Sequence, residues 1–151
     1  MQIRQWNLNK DYIVLTNWCK KHNWDLPMPK ESLPKLGIII EDNKPLCAAG
    51  LFIDRYSNFG FMYGIFSCSE VSKIKLFKAM KLLVNGIKRE ALKNKIKLIY
   101  TITGEDSLDK LYTKHLNMIC CGTNVKSYII NLDKNKYKNL DWIKENDNNI
   151  K

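Results

Sequence analysis

The side chains on which chemistry could rest in this 151-residue chain are five cysteines, two histidines and a few carboxylates at the ends of apolar runs. The cysteine count is odd, no C-x-x-C pair occurs, and only Cys120 and Cys121 are adjacent. That pattern makes neither a disulfide framework nor a zinc site. His22 and His115 are too few and too far apart in sequence to suggest a metal centre or a catalytic dyad. Ser67 and Ser69 lack the Gly-x-Ser-x-Gly setting of a nucleophile elbow. Cys68 closes an apolar run and could act as a nucleophile, but it reads more simply as a small buried hydrophobe. Glu41, Asp42 and Glu70 end such runs and are the carboxylates placed to move a proton.

Charge narrows the function classes further. The net charge is +10. From Val71 to Lys97 nine lysines and arginines face a single Glu90, so a local excess of +8 carries most of it. The excess is lysine; the only arginines are Arg4, Arg55 and Arg89. Lysine acts as a point charge where arginine offers a planar fork, so sequence-specific DNA reading is disfavoured while loose phosphate attraction is not. A solvated helix face, a local anionic ligand and a nucleic-acid-binding module are the readings this segment allows.

Positioning such groups requires elements, and the apolar spacing supplies them. At 151 residues and 45% apolar content the chain can fill one domain with a packed core. Met1–Trp6 suits a short strand, and Asn9 can cap a helix from Lys10 to about Lys21. Trp24, Pro27, Pro29 and Pro34 then interrupt any helix and make an ordered loop. Three strands follow at Gly37–Glu41, Leu46–Asp54 and Phe61–Cys68, joined by turns short enough to require antiparallel pairing. Val71 to about Lys93 is a long amphipathic helix, capped by Ser69 or Ser72, in which Gly86 marks a close packing contact. It leads to a strand at Leu98–Ile102 that pairs parallel with Phe61–Cys68, a right-handed crossover. Gly104 ends that strand, a short helix spans Ser107–His115, and Asn117 takes the left-handed position that closes it. Met118–Val125 and Lys126–Leu132 read as a last pair of strands.

The expectation is an α+β domain over 1–132 with a mixed antiparallel/parallel sheet and flanking helices, followed by a polar tail or short helix over 133–151. The change from antiparallel to parallel pairing should splay two strands and leave a crevice. No run of roughly 20 apolar residues is present, and no signal peptide is visible at Met1–Trp6, so a cytoplasmic protein without a membrane span is expected.

This order of elements resembles the GNAT superfamily of N-acetyltransferases over about Met1–Leu132. The closest local match is Ser107-Leu108-Asp109-Lys110-Leu111-Tyr112-Thr113-Lys114, which is similar to the family's late L-Y-x-K segment. The Trp18…Trp24…Pro27-Met28-Pro29…Leu33-Pro34…Gly37 stretch resembles small GNAT-like proteins encoded by phages. The resemblance implies an acyl-CoA N-acyltransferase fold and transfer of an acetyl group from acetyl-CoA to an amine. It implies cofactor contacts at Phe66, Ser67, Cys68, Ser69, Ser72, Lys73, Ile74 and Lys75, and acceptor contacts at Trp24 and Met28. Tyr112 matches the tyrosine that protonates the departing thiolate, and Glu70 is the candidate general base.

One departure stands out. The family's pyrophosphate loop is rich in glycine, whereas Ser69-Glu70-Val71-Ser72-Lys73-Ile74-Lys75 has none and carries a carboxylate. Hydroxyl and ammonium groups can replace glycine-amide contacts there; alternatively the loop no longer binds coenzyme. The second case implies a non-catalytic GNAT-fold binding protein of phage origin, serving particle assembly or host interaction. Side chains of Ile74, Phe77 or Leu83 filling the crevice would mark it. No metal is expected, and the resemblance leaves a homodimer and a protein partner open.

Overall fold

The computed structural model describes residues 1–54, 56–103, 108, 111–116 and 118. Five strands lie side by side in sequence order: β1 (Gln2–Gln5), β2 (Leu36–Asp42), β3 (Lys44–Asp54), β4 (Phe59–Ser67) and β5 (Leu98–Tyr100). The first four pair antiparallel, and β5 pairs parallel with β4. The turns dictate this. Asn43, at φ 62°, reverses the chain between β2 and β3, and Asn58, at φ 55°, closes the turn between β3 and β4. In that second turn Asp54 accepts hydrogen bonds from the Tyr56 amide (2.9 Å) and the Ser57 hydroxyl. The β4–β5 connection instead runs through a helix, which parallel pairing requires.

Helix α1 (Leu8–His22) starts earlier than its apolar spacing suggests, and its cap is Asn7 rather than Asn9. The Asn7 side chain accepts from the Asn9 amide at 3.1 Å. Its own amide donates to Asp11 at 2.6 Å, so the first turn is held from both ends. Helix α2 (Lys73–Lys93) is capped by Ser72, one of the two serines expected to do so. Gly86 lets α2 approach the sheet: a Cβ there would come within 3.2 Å of Ile38.

Each helix covers one face of the sheet. On the α2 face Ile38, Ile40, Leu51, Met62 and Ile65 pack against Leu83, Ile87 and Ala91. On the α1 face Ile39, Ala48, Phe66 and Cys68 pack against Trp6, Leu15, Trp18 and Cys19. Alternate strand residues thus feed opposite cores, as a sheet buried on both sides demands. After β5, Leu111–His115 forms a π-helical turn that buries Leu111 and Tyr112 against the α2 face.

Several strand ends differ from expectation by one or two residues. β4 begins at Phe59, and β5 stops at Tyr100 rather than Ile102. Thr101 is the reason: its hydroxyl donates to the Met62 carbonyl at 3.0 Å, taking a position a backbone amide would otherwise fill. Gly104, Ser107, Asn117, residues 119–132 of the last expected strands and the segment 133–151 lie outside the described residues.

Candidate functional site

The site is a fork. β4 and β5 are paired only at Phe59–Leu98, Gly60–Ile99 and Phe61–Tyr100. Beyond that point β4 continues for six residues, Met62 to Ser67, with no strand on its β5 side among the described residues. That open edge extends about 17 Å, at roughly 3.3 Å per strand residue.

Tyr112 stands at the closed end of the fork. The Thr101 hydroxyl, which donates to the Met62 carbonyl at 3.0 Å, stands beside the Tyr112 phenol. Burial pushes the phenol up to about 12, and the Thr101 bond opposes that rise without cancelling it. The group is therefore a protonated donor throughout the neutral range.

Midway along the edge, β4 carries an extra residue. Ala48 pairs with Phe66 and Gly50 with Tyr63, so Gly64 and Ile65 bulge opposite Ala49. Gly64 sits at φ +59°, where a side chain is strained, and a Cβ there would meet the Phe66 ring at 3.0 Å. Bulges turn backbone amides out of the ladder, here at the middle of the crevice.

Near the mouth stands a residue whose sequence setting gave no hint of a role. The Cys68 amide donates to Leu46 at 2.9 Å, so the peptide groups of Ser67, one residue earlier, face away from β3. His22, at the end of α1, bonds that Ser67 carbonyl through Nε2 at 3.0 Å. A carbonyl accepts only, so Nε2 carries the proton and Nδ1 of the neutral ring keeps its lone pair. The imidazole stacks on Trp24 with centroids 4.1 Å apart and planes at 12°. Four residues further along the loop, the Met28 amide donates to the Tyr63 hydroxyl at 3.0 Å. Trp24 and Met28, half-buried, thus hang over β4 from the α1 side.

The loop after β4 places its charges differently from what its sequence suggests. Glu70 is exposed and ion-paired to Lys21 of α1, and lies 3.5 Å from Lys44 of β3. Lys21, and then Lys44, hold its carboxyl below the ordinary range. A carboxylate so neutralised neither opposes an anion at the helix start nor has the raised pKa of a general base. Lys75 is committed as well, to Asp42 at 2.6 Å. The Ser72 hydroxyl accepts from the Lys75 amide at 3.4 Å. The amides of Lys73 and Ile74 at the first turn of α2 have no acceptor within the helix. Ser69 and Lys73 are exposed, whereas Phe66, Ser67 and Cys68 are buried in β4 and just after it.

Pantetheine needs an open strand edge, and pyrophosphate needs free amides with net positive surroundings. Both are present, so these residues fit a coenzyme A thioester. Ile74 is 73% exposed and does not fill the crevice, while Leu83 is fully buried between α2 and the sheet. Phe77 meets the His115 ring edge-on at 5.0 Å. A separate groove of about 440 Å³ runs along the α1 side of the loop, lined by Trp18, Lys21, Lys44, Cys68 and Glu70 among others. Among the described residues no cluster of His, Cys, Asp or Glu is arranged to hold a metal. No helix there is long and apolar enough to cross a membrane.

No protein-family model matches the chain, and no curated protein sequence does. Solved structures do. AAC(6')-Iy, in complex with the bisubstrate analogue CoA-S-monomethyl-acetylneamine, superposes with a TM-score of 0.60 at 15% identity, over 86% of this chain and 98% of that one. Rv2747 from Mycobacterium tuberculosis, in complex with CoA, gives 0.61 at 10% identity, over 87% and 77%. An acetyltransferase of Trypanosoma brucei gives 0.55 at 10% identity, over 87% and 98%. The fold is that of the acyl-CoA N-acyltransferases, the GNAT fold, as the order of elements implied.

Proposed function

We propose that this protein is an N-acyltransferase that moves an acetyl group from acetyl-CoA to an amine. The observation that carries the reading is the fork itself. It has a buried phenol at its apex, a bulged strand edge that is open among the described residues along its wall, and a helix N-terminus at its mouth.

Bound acetyl-CoA supplies an acetyl group activated as a thioester. The Lys73 and Ile74 amides, the Ser72 hydroxyl and the Lys73 ammonium hold its pyrophosphate, and the polarity of α2 favours the charge. The Met62–Ser67 edge accepts the pantetheine arm as an added strand. Amides turned out at the Gly64–Ile65 bulge donate to the acyl oxygen, where negative charge develops. His22 Nδ1 takes the proton released as the amine forms its bond to carbon. Tyr112 gives its proton to the sulfur as the carbon–sulfur bond breaks. Trp24 and Met28 line the acceptor side of β4. Glu70 serves here as the neutral anchor of the loop, not as the base.

Calorimetric titration with acetyl-CoA and with free coenzyme A tests the reading. Saturable binding of both is expected. No heat at ligand concentrations up to roughly 0.5 mM, weaker than about −4.5 kcal/mol, would overturn it.

A further inference from the structure

The outer face of α2 carries positive charge that the proposed reaction does not use. Of the cations on this helix, Lys75 is paired with Asp42 and Lys93 with Glu90. Lys73, Lys78, Lys81, Lys88 and Arg89 have no acidic partner among the described residues. Lys78, Lys81, Lys88 and Arg89 are all solvent-exposed and fall on one side of the helix at 3.6 residues per turn. Asn85 lies between them on the same side, while Ala79, Leu83, Val84, Ile87 and Ala91 occupy the buried side. The result is a straight cationic ridge about 17 Å long from Lys78 to Arg89. It lies away from Ser72, where the cofactor's phosphates are placed.

We infer that this ridge binds the phosphate backbone of double-stranded DNA without reading its sequence. Four point charges on one rigid rod complement a polyanion whose phosphates are themselves rigidly spaced. Single strands are held by stacking on exposed aromatic rings. Beside the ridge, Phe77 is half-buried, packed on His115 and covered by Lys81 at 5.6 Å. A helix 10–12 Å across matches the major groove of B-form DNA, about 12 Å wide, whereas the major groove of duplex RNA is too narrow to admit it. A membrane surface would call for a continuous free apolar flank; the exposed apolar side chains of α2, Ile74 and Leu92, stand singly at its two ends, while Leu83, Val84, Ile87 and Ala91 are buried against the sheet. Three lysines to one arginine fit phosphate attraction and leave Arg89 as the one fork on the ridge, too little to read a sequence of base edges.

Fluorescence anisotropy with a labelled 16-base-pair DNA duplex of arbitrary sequence tests the proposal. Four neutralised phosphates give a slope of log K against log salt of about −3.6, roughly a hundredfold loss between 50 and 200 mM. Two duplexes of unrelated sequence should bind within about twofold of each other. Changing Lys78, Lys81, Lys88 and Arg89 together to Gln should flatten the slope to near zero with an unchanged melting temperature. An equal change of charge elsewhere, at Lys10, Lys20, Lys30 and Lys35, should leave most of the slope. Equal loss in both variants would assign the effect to net charge and overturn the proposal. So would binding to single strands, duplex RNA or anionic vesicles that matches or exceeds binding to duplex DNA.

Discussion

Tyr112 keeps its proton because burial disfavours the phenolate, and it stands beside Thr101 at the point where β5 leaves β4. Phe at this position removes the donor and little else. Tyr112→Phe should lower acetyl transfer about a hundredfold while coenzyme A affinity stays within about twofold, read by steady-state rates beside calorimetry. Because the phenol ionises only near 12, the wild-type rate should show no alkaline decline assignable to it below about pH 11. His22 and Glu70 separate cleanly by substitution. Gln at position 22 can still donate to the Ser67 carbonyl but cannot take a proton, so His22→Gln should cost about a hundredfold in rate with coenzyme A affinity unchanged. Glu70→Gln should change the rate less than about threefold, since its carboxylate is held by Lys21 and Lys44. The reverse outcome would make Glu70 the base. Of the two residues proposed to move protons, the Leu-Tyr-x-Lys segment suggests Tyr112, and no motif suggests His22. His22 lies 45 residues from the carbonyl it holds, and no spacing rule joins the two.

Strand β4 does at the level of an element what no single residue does: it is both a ladder partner and an open edge. Its bulge is the device that changes its use along its length. Gly64 sits at positive φ, where alanine is strained, and the new methyl would also press on the Phe66 ring. Gly64→Ala should therefore destabilise the protein by about 1–2 kcal/mol, seen as a lower urea midpoint, and should weaken transfer more than coenzyme binding. The five described strands, the antiparallel pairing of β2, β3 and β4 and the crossover through α2 were legible in the sequence, because alternation, short turns and a long amphipathic run each force one solution; the pairing of β1 with β2 was not. Nor was the bulge. A glycine within an aromatic strand is compatible with a regular ladder, and the extra residue emerges only once β3 sets the register.

Across the whole molecule, the buried carboxylate of Asp11 links three elements. It accepts from Arg4 at 2.8 and 2.9 Å and from the Asn7 amide at 2.6 Å, while Arg4 also reaches Glu41 at 2.7 Å. Burial alone would raise the Asp11 carboxyl, but the Arg4 and Asn7 hydrogen bonds outweigh it and hold the group below its ordinary value. Its contribution to stability is thus present above the unfolded value near 3.9 and is lost as pH falls through the lower folded value. Asp11→Asn should cost about 2 kcal/mol at pH 7, given that Arg4 is one-third exposed, and should make melting less dependent on pH below about 4. An unchanged pH dependence would mean that the Asp11–Arg4 pair contributes nothing to acid stability.

Local spacing by itself determined the class of fold: which segments are helix or strand, which neighbours run antiparallel, and where one parallel strand enters. Those are short-range matters of periodicity, caps and turn length. Tertiary structure decided which charges are spent and which remain available. Glu70 meets Lys21 and Lys44, Lys75 meets Asp42, and His22 meets Ser67 only after two helices have settled on opposite faces of the sheet. Those pairings depend on distances across the folded chain, and no run of residues encodes them locally.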